Sequence, residues 1–453
     1  MKRLFISPII VSWFINILGL ANFLLVVPFA LKYLTEAEFA SWLFLSSVFA
    51  GGLIIETTAI VVSTRLLSYL HSGKTILNNL GKKITADYTF YDAAHSLFFA
   101  YLLLAVVAFV LSLMLGLFFG DNLRFSLEAP DDFLYALLIM SLGLVFLVVS
   151  SLWKAMIIAQ GRILHQRYIQ LVTYFYRILT TIYVVIEYNN LISIFIILAS
   201  AQFLEASLYK MLIKRNEVNK LNVQILKNML SPFSRTLIIK IGAYLVAFSS
   251  SLIVAQLDVE SATKLLLSFR LLQALSSVSI TPLSVKIPEL NKLRIDKTSN
   301  ITWLTEVSRL TALSIVVYLI GSFILYFFGN NVLSLFREGN VDVLLDSELL
   351  AFLIIIGLLD LHQNIHATIY QTTNNIPFVA IYTITGCCIL ILDMIVVNKY
   401  EIFGLLVVQF FVQLIGVSWY PVYLNLKSIN ASFSEYMRSL FYTIYKFEFL
   451  KII

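Results

Sequence analysis

Long apolar runs are the feature of this chain that most restricts its fold. Of its 453 residues, 60% are hydrophobic and only 13% are charged. A globular protein in water needs more polar residues on its outside than this composition supplies. A helix needs roughly 20 consecutive apolar residues to cross the hydrocarbon core of a bilayer, and the chain contains about twelve such runs. The sequence therefore predicts an all-α polytopic membrane protein.

The predicted spans are arranged as six plus six. Barrel strands are excluded, because they would be half as long and would alternate in polarity. A cytoplasmic linker at 214–234 is predicted to separate an N-terminal lobe (1–213) from a C-terminal lobe (235–424), with an amphipathic cytoplasmic tail at 425–453. This plan predicts two six-helix lobes around a central cavity. The spans are placed at roughly 8–31, 37–62, 94–119, 132–158, 168–187, 191–213, 235–257, 262–287, 307–328, 347–371, 376–398 and 402–424.

Basic residues are distributed unevenly between the predicted loops. They gather before the first span, after the second, fourth, sixth and eighth spans and in the tail, with an excess of about four to one over the opposite loops. Because cytoplasmic loops carry more Lys and Arg, both termini are predicted to be cytoplasmic. The net charge of +6 follows from this topology and from attraction to anionic lipid, so no nucleic-acid partner is predicted.

The loops and cysteines also restrict the function. No predicted loop reaches about 50 residues, the size of a small folded domain. The chain has no Gly-rich phosphate loop of the Walker type. Cys387 and Cys388 are adjacent inside a span, so they offer neither a disulfide framework nor metal-ligand spacing. A non-enzymatic protein without a cofactor or metal is predicted.

Several charged residues lie inside the predicted spans or, for Arg65, at the cytoplasmic end of one. A charge at membrane depth costs roughly 2.5–3.5 kcal/mol, so it faces a partner or a watery cavity inside the bundle. One interpretation is a structural ion pair, for example between Glu205 and Arg177. The charged positions are Glu56, Arg65, Arg177, Glu205, Lys240, Arg270, Asp360 and Asp393.

Three spans carry polar residues along the face of such a charge. A single ion pair does not require a polar stripe along a whole helix, whereas a helix that lines a hydrophilic cavity does. We therefore predict that these faces line a transport cavity. They comprise Thr173, Tyr174 and Arg177 on the fifth span, Arg270 and Gln273 on the eighth, and Asp360, Gln363 and Asn364 on the tenth.

Two other patterns concern helix packing. His362 and His366 are four residues apart, on a face roughly opposite Asp360. Such a pair can bind zinc, but no third ligand is evident, so helix packing is the favoured interpretation. Apolar residues at helical spacing from Phe433 to Tyr445 predict an amphipathic helix on the cytoplasmic leaflet. The alternative is a helix docked against the bundle.

Short motifs in both halves carry a resemblance to a known family. The segment Leu31-Lys-Tyr-Leu-Thr-Glu-Ala-Glu-Phe-Ala-Ser-Trp-Leu forms an acidic outward turn that opens the second span. The second half has a similar turn at Leu257-Asp-Val-Glu-Ser-Ala-Thr and continues into Phe269-Arg-Leu-Leu-Gln-Ala-Leu. It ends at Thr281-Pro-Leu and Ile287-Pro-Glu-Leu. With the six-plus-six plan, these segments resemble the multidrug/oligosaccharidyl-lipid/polysaccharide exporter superfamily, and O-antigen flippases in particular.

The resemblance implies a function. It implies an alternating-access flippase of the bacterial inner membrane that moves an undecaprenyl-diphosphate-linked oligosaccharide, such as an O-antigen repeat unit for lipopolysaccharide biosynthesis. Family members hold the diphosphate and sugars in a cationic cavity, for which this chain offers Arg177, Arg270, Lys240 and Arg65. The implied partners are the lipid-linked oligosaccharide, membrane lipids and other polysaccharide-assembly membrane proteins.

Transport of an anionic headgroup needs a source of free energy. Because the sequence shows no nucleotide site, a proton or sodium gradient or downstream consumption of the product must supply it. The carboxylates predicted at membrane depth that can take up a cation are Glu56, Glu205 and Asp360. We favour Asp360, because polar residues extend its face along the tenth span.

Three other functions remain open on the sequence. A cation-coupled multidrug antiporter of the same superfamily would share the topology but should have a more acidic cavity. A membrane glycan polymerase has a similar number of spans but needs a large outward loop. A major-facilitator carrier would show a Gly-x-x-x-Asp-Arg pattern between the second and third spans, where this chain has none.

The topology leads to a labelling prediction. In a variant with Cys387 and Cys388 replaced by alanine, single cysteines at Asn122, Asn189 or Asn330 should react with an impermeant thiol reagent from outside intact cells. Single cysteines at Asn79 or Asn219 should react only after permeabilisation. Outside labelling at Asn219 would contradict a twelve-span topology with both termini inside.

Overall fold

The chain is almost entirely helical wherever its structure is described. The computed structural model describes residues 18–19, 25–71, 76–77, 83–84, 89–213, 223–283, 286–287, 290, 300–336, 342–371 and 377–448. A pair of two-residue antiparallel strands, Ile76–Leu77 and Lys83–Ile84, follows the first long helix. The main helices are α1 (Glu36–His71), α2 (Phe90–Phe119), α3 (Pro130–Ala159), α4 (Ile163–Tyr188), α5 (Leu191–Leu212), α6 (Val223–Ile253), α7 (Val259–Ser279), α8 (Asn300–Leu333), α9 (Ser347–Gln371), α10 (Val379–Ile415), α11 (Tyr420–Lys427) and α12 (Phe433–Tyr445).

Ten helical segments of the described residues are long and apolar enough to cross a membrane. Nine of them coincide one by one with the second to tenth predicted spans. The last segment, Val379–Lys427, covers the twelfth predicted span and nearly all of the eleventh. Glu401 (φ 48°, ψ −138°) breaks the helical geometry of α10 between the two. Most of the predicted span at 8–31 lies outside the described residues. The prediction of an all-α polytopic membrane protein is confirmed.

Three of the described helices begin with a capping box. In each, a Ser or Thr hydroxyl accepts a backbone N–H three residues ahead, while the acidic side chain at that position accepts the N–H of the Ser or Thr. The acidic turn singled out in the sequence is therefore also the helix start of α1. The pairs are Thr35 with Glu38, Thr89 with Asp92 and Ser432 with Glu435.

The chain divides into two compact units, which we call the N-unit and the C-unit. The N-unit comprises Met1–Tyr244 and Asp258–Glu260, and the C-unit comprises Leu245–Leu257 and Ser261–Ile453. The division falls within α6, whose first part belongs to the N-unit and whose last part belongs to the C-unit. This helix begins at Val223, inside the segment predicted as a linker.

In the N-unit, α3 is the helix against which α1, α2 and α5 pack. A methyl group added at Gly143 of α3 would lie 3.2 Å from the Cα atom of Ala199, so small residues bring α3 and α5 close together. The Ser112 hydroxyl of α2 donates to the Ser141 hydroxyl of α3 over 2.7 Å. Small and hydroxylated residues therefore connect these helices, as is usual where helices pack inside a bilayer.

In the C-unit, the tail helix α12 is docked against the bundle. Its buried residues Tyr436 and Leu440 pack with Leu313 of α8 and with Val422 and Leu426 of α11. Its opposite face is exposed and aromatic. The docked alternative is thus the one observed for this helix, although its exposed face keeps the amphipathic pattern seen in the sequence.

The two histidines of α9 meet this docked helix. The Nε2 atoms of His362 and His366 lie 3.0 Å and 2.9 Å from the Tyr436 hydroxyl, and Asn425 Nδ2 lies 3.1 Å from His366 Nδ1. Arg309 of α8 adds an ion pair of 2.9 Å with Glu448, beyond the end of α12. The described residues contain no group of three or more His, Cys, Asp or Glu side chains that could hold a metal ion. Both histidines thus contact the docked helix through one tyrosine hydroxyl.

We predict that Tyr436→Phe weakens the docking of α12. The substitution removes the hydroxyl that both imidazoles contact and leaves buried polar atoms without that partner, which costs about 1–3 kcal/mol. Thermal unfolding of the purified protein should show a lower midpoint than the wild type. Tyr442→Phe, on the exposed face of the same helix, is the matched control and should unfold like the wild type. Equal midpoints for the two variants would contradict a stabilising role for the His–Tyr contacts.

Candidate functional site

The N-unit contains an ion pair between two transmembrane helices. Lys154 Nζ of α3 lies 3.3 Å from Glu56 Oε1 of α1, and the two side chains are 17% and 6% exposed. Sequence reasoning singled out Glu56 but missed Lys154. The sequence does show Lys154 as a lone lysine within the predicted span at 132–158. No long polar stripe accompanies it on that span.

Further charged groups surround this pair. Lys154 interacts electrostatically with Glu205 of α5 as well as with Glu56. Glu205 in turn interacts with Arg177 of α4, beside Tyr174 of the same helix. The structural ion pair suggested by the sequence is Glu205 with Arg177. In the structure, Glu205 interacts with Arg177 electrostatically, and the ion pair within 4 Å in this part of the N-unit joins Lys154 to Glu56.

Lys240 extends the group of charges to α6. Its ammonium donates to the Thr57 hydroxyl of α1 over 2.8 Å and interacts electrostatically with Glu56. We call the five residues Lys154, Arg177, Lys240, Glu56 and Glu205 the N-unit charge cluster. It has three cationic and two acidic members from five helices, so its formal charge is positive.

Three other N-unit residues predicted to line the cavity differ in their exposure and contacts. Arg65 is exposed near the end of α1, outside the cluster. Thr173 is buried, and its hydroxyl bonds to the carbonyls of Ile169 and Gln170 one turn earlier. Tyr174 is half-buried beside Arg177. The structure therefore brings Tyr174 to the cluster and leaves Arg65 apart from it.

In the C-unit, Arg270 lies on α7 against an aromatic ring. Its guanidinium carbon is 5.3 Å from the centre of the Phe248 ring, and Nη1 is 3.5 Å from Gln273 Oε1. Both predicted residues are half-buried. The planar guanidinium can stack on a ring and still present N–H groups to an anion.

Two carboxylates of the C-unit are bonded by uncharged partners. Asp360 of α9 accepts from Gln413 Nε2 over 2.8 Å. Asp393 of α10 is buried and accepts from the Ser250 hydroxyl over 3.0 Å, and that hydroxyl also lies 2.7 Å from Gln409 Oε1. Among the described residues, no Lys or Arg nitrogen lies within 4 Å of either carboxylate.

The polar face predicted for the tenth span is split in the structure. Gln363 is buried and donates to the Tyr382 hydroxyl over 3.0 Å, whereas its neighbour Asn364 is exposed. Helical periodicity places the two residues about 100° apart, and it does not decide which of them packs against α10. Gln409 and Gln413 lie four residues apart on the twelfth predicted span. Gln413 donates to Asp360, and Gln409 accepts from the Ser250 hydroxyl that also bonds Asp393.

The chain is similar to known proteins in three-dimensional structure. No family profile matches the chain, and no curated protein matches its sequence. The lipid II flippase MurJ in an inward closed conformation matches with a TM-score of 0.69 at 18% identity, over 95% of this chain and 89% of that chain. An inward-facing multidrug resistance transporter of the MATE family matches with a TM-score of 0.64 at 12% identity, over 94% of this chain and 100% of that one.

A third solved structure also matches the chain. It is a MOP superfamily transporter from Pyrococcus furiosus, described as having a binding pocket of reversed polarity, with a TM-score of 0.53 at 12% identity over 92% of this chain and 96% of that chain. The chain has the fold of MOP superfamily transporters. The fold that the resemblance implies is confirmed. Sequence identities this low support a conclusion about the fold alone. In this MOP fold, the N-unit charge cluster occupies helices of one unit and the two aspartates occupy the other.

We predict that the Lys154–Glu56 pair is needed for stability. Lys154→Met leaves the Glu56 carboxylate without its ion-pair partner, which should lower the free energy of unfolding by about 3 kcal/mol. Adding Glu56→Gln should restore most of that loss, because the unpaired charge is removed with it. The measurement is a double-mutant cycle of thermal or denaturant unfolding in detergent, with the exposed Lys399→Met as the control. Independent, additive effects of the two substitutions would contradict a coupled pair.

Proposed function

We propose that this chain is a flippase that moves an undecaprenyl-diphosphate-linked oligosaccharide across the bacterial inner membrane by alternating access. The observation that carries this proposal is the N-unit charge cluster, which places more cationic than acidic side chains inside transmembrane helices. Supporting it, the MOP fold is shared with a flippase of lipid II. An O-antigen repeat unit or a similar oligosaccharide is the proposed cargo.

The cationic members of the cluster fit the chemistry of a diphosphate. A diphosphate carries negative charge that must be compensated throughout its passage across a low-dielectric region. Arginine offers a permanently charged planar array of donors, and lysine offers a compact charge on a flexible stem. We propose that Arg177, Lys154 and Lys240 contact the diphosphate in the N-unit, and that Arg270 provides a further cation in the C-unit.

Hydroxyl and amide groups are proposed to contact the sugars. Tyr174, Gln273 and Asn364 are at least partly exposed, so their polar atoms are available to exchange hydrogen bonds with sugar hydroxyls. Thr173 and Gln363 already have protein partners and contribute less to such contacts. A transporter must also release its cargo, and scattered single contacts suit release better than a tight pocket.

The proposal predicts that charge at Arg177 matters for transport. Arg177→Glu should reduce surface glycan in a complemented flippase-deficient bacterium by at least about tenfold, since charge-assisted hydrogen bonds contribute about 1.5–3 kcal/mol each. Arg177→Lys should keep part of the activity. The exposed Lys32→Ala is the control, and membrane abundance of each variant is measured alongside. Full complementation by Arg177→Glu would assign Arg177 a structural role only.

The three carboxylates considered for ion coupling have different partners. Glu56 is paired with Lys154, and Glu205 interacts with Lys154 and Arg177. Asp360 has only a glutamine as hydrogen-bond partner among the described side chains, so its charge is not compensated by a neighbouring cation. We therefore propose Asp360 as the residue that takes up a proton or sodium ion during the transport cycle.

This coupling proposal predicts a gradient effect in liposomes. Flipping by the wild type should accelerate at least severalfold under an imposed proton or sodium gradient, and Asp360→Asn should remove that acceleration while leaving a slow basal rate. Glu435→Gln, on the exposed face of α12, is the control. Acceleration that persists in Asp360→Asn would assign coupling to another residue.

A cation-coupled multidrug antiporter is the second proposal. The observation in its favour is the pair of C-unit aspartates bonded by uncharged side chains, together with the MOP fold shared with a multidrug resistance transporter. The two proposals differ in cargo. Drug efflux by cells that express the chain, without restoration of surface glycan in the flippase-deficient strain, would favour the antiporter.

A further inference from the structure

A groove lies where the last transmembrane segment ends, between α11 and the start of α12. Its volume is about 440 Å³. All of its lining belongs to the C-unit, within one continuous stretch of 15 residues from Trp419 to Phe433. The lining residues are Trp419, Val422, Tyr423, Leu426, Lys427, Asn430, Ala431, Ser432 and Phe433.

The groove combines a buried apolar floor with exposed aromatic walls. Val422 and Leu426 are 1% and 4% exposed, whereas the rings of Trp419, Tyr423 and Phe433 are 48%, 56% and 45% exposed. The Trp419 and Phe433 rings meet edge to face at 5.7 Å. Exposed Trp and Tyr at the end of a transmembrane segment are typical of the membrane–water interface.

A lysine supplies the charge at the rim of the groove. The Lys427 ammonium lies 5.5 Å from the centre of the Tyr423 ring and is exposed. No carboxylate of the described residues lies within 4 Å of it. Glu435, in the first turn of α12, already accepts from the Ser432 N–H and hydroxyl at 2.7 Å and 2.9 Å. Lys427 therefore gives the rim a positive charge that an anion can approach.

The positive aromatic surface continues along α12. Arg438 on this helix and Lys446 directly after its end are exposed, and the Lys446 ammonium lies 5.3 Å from the centre of the Tyr445 ring. The helix is fixed in place by the contacts of Tyr436 with the two histidines of α9. The surface is therefore preorganised, so a ligand need not order it on binding.

We propose that this groove binds an anionic phospholipid of the surrounding membrane, with the phosphate on Lys427 and the first part of an acyl chain on the apolar floor. Charge complementarity favours an anionic over a zwitterionic headgroup, because none of the described carboxylates lies within 4 Å of Lys427. The aromatic walls suit the boundary between headgroup and acyl chain. This site lies outside the N-unit charge cluster and is independent of the transported cargo.

Quenching of Trp419 by brominated lipid tests the proposal. The full-length protein is placed in phosphatidylcholine bilayers that contain increasing fractions of phosphatidylglycerol with brominated acyl chains. The Trp419 signal is the difference between wild type and Trp419→Phe, since the chain has four other tryptophans. Saturable quenching by brominated phosphatidylglycerol is expected at low mole fractions, with brominated phosphatidylcholine quenching only in proportion to its fraction.

Two lysine variants decide whether the charge of the groove is responsible. Lys427→Gln should raise the half-saturating fraction of phosphatidylglycerol about fivefold, the effect expected from one basic residue at an anionic membrane surface. Lys399→Gln is the matched control, because Lys399 also lies over a neighbouring tyrosine ring, at 5.1 Å from the Tyr400 ring centre, but lines no part of this groove. It should leave the titration unchanged.

Either of two results would overturn the proposal. One is equal quenching by the two brominated lipids, which would make the groove ordinary lipid-facing surface. The other is saturable quenching that Lys427→Gln leaves unchanged, which would assign lipid binding to a different charge. Thermal unfolding of each variant checks that the comparison is made between folded proteins, and Lys427→Arg should retain the wild-type titration.

Discussion

A charged side chain at membrane depth must find its partner within the protein, because the hydrocarbon core offers no water to solvate it. In the N-unit this constraint is met by the ion pair of Lys154 with Glu56, which joins α3 to α1 at 3.3 Å. The helices α1, α2 and α5 all pack against α3. The ion pair therefore lies on the central helix of the N-unit. Arg177, Lys240 and Glu205 are added from three further helices.

The same constraint is met differently in the C-unit. Asp360 and Asp393 are bonded by glutamine and serine side chains, and the two histidines of α9 share one tyrosine hydroxyl. Glu56 in the N-unit is thus paired with a cation, while Asp360 and Asp393 in the C-unit accept from neutral donors. This difference is the basis of our proposals that the N-unit recognises an anionic cargo and that Asp360 of the C-unit takes up a cation.

Much of the fold could be predicted from the sequence because helix length and hydropathy are local properties. The second to tenth spans were found at their observed places, and the break between the last two spans was found near Glu401. The docking of α12 could only be offered as one of two alternatives. It depends on contacts between Tyr436 and residues 70 and 74 positions earlier in the chain, which no periodicity reveals.

The candidate site was less predictable, because it too depends on contacts between residues far apart in the chain. Periodicity assigns residues to a face but does not say which neighbour that face meets, so Gln363 and Asn364 were grouped although one is buried and the other exposed. Lys154 was missed because a lone lysine in an apolar span produces no stripe. Its importance becomes visible only when Glu56, 98 residues earlier, is brought beside it.

The central claim is that cationic side chains within the membrane recognise the diphosphate of a lipid-linked oligosaccharide. The most direct measurement compares the flipping rates of two cargoes by the purified wild-type protein in liposomes, followed by cleavage of exposed sugars with an impermeant glycosidase. The cargoes carry the same oligosaccharide and the same polyprenyl chain, joined either by a diphosphate or by an uncharged linkage. The account predicts that the diphosphate-linked cargo is flipped at least about tenfold faster. Equal rates for the two cargoes would contradict it.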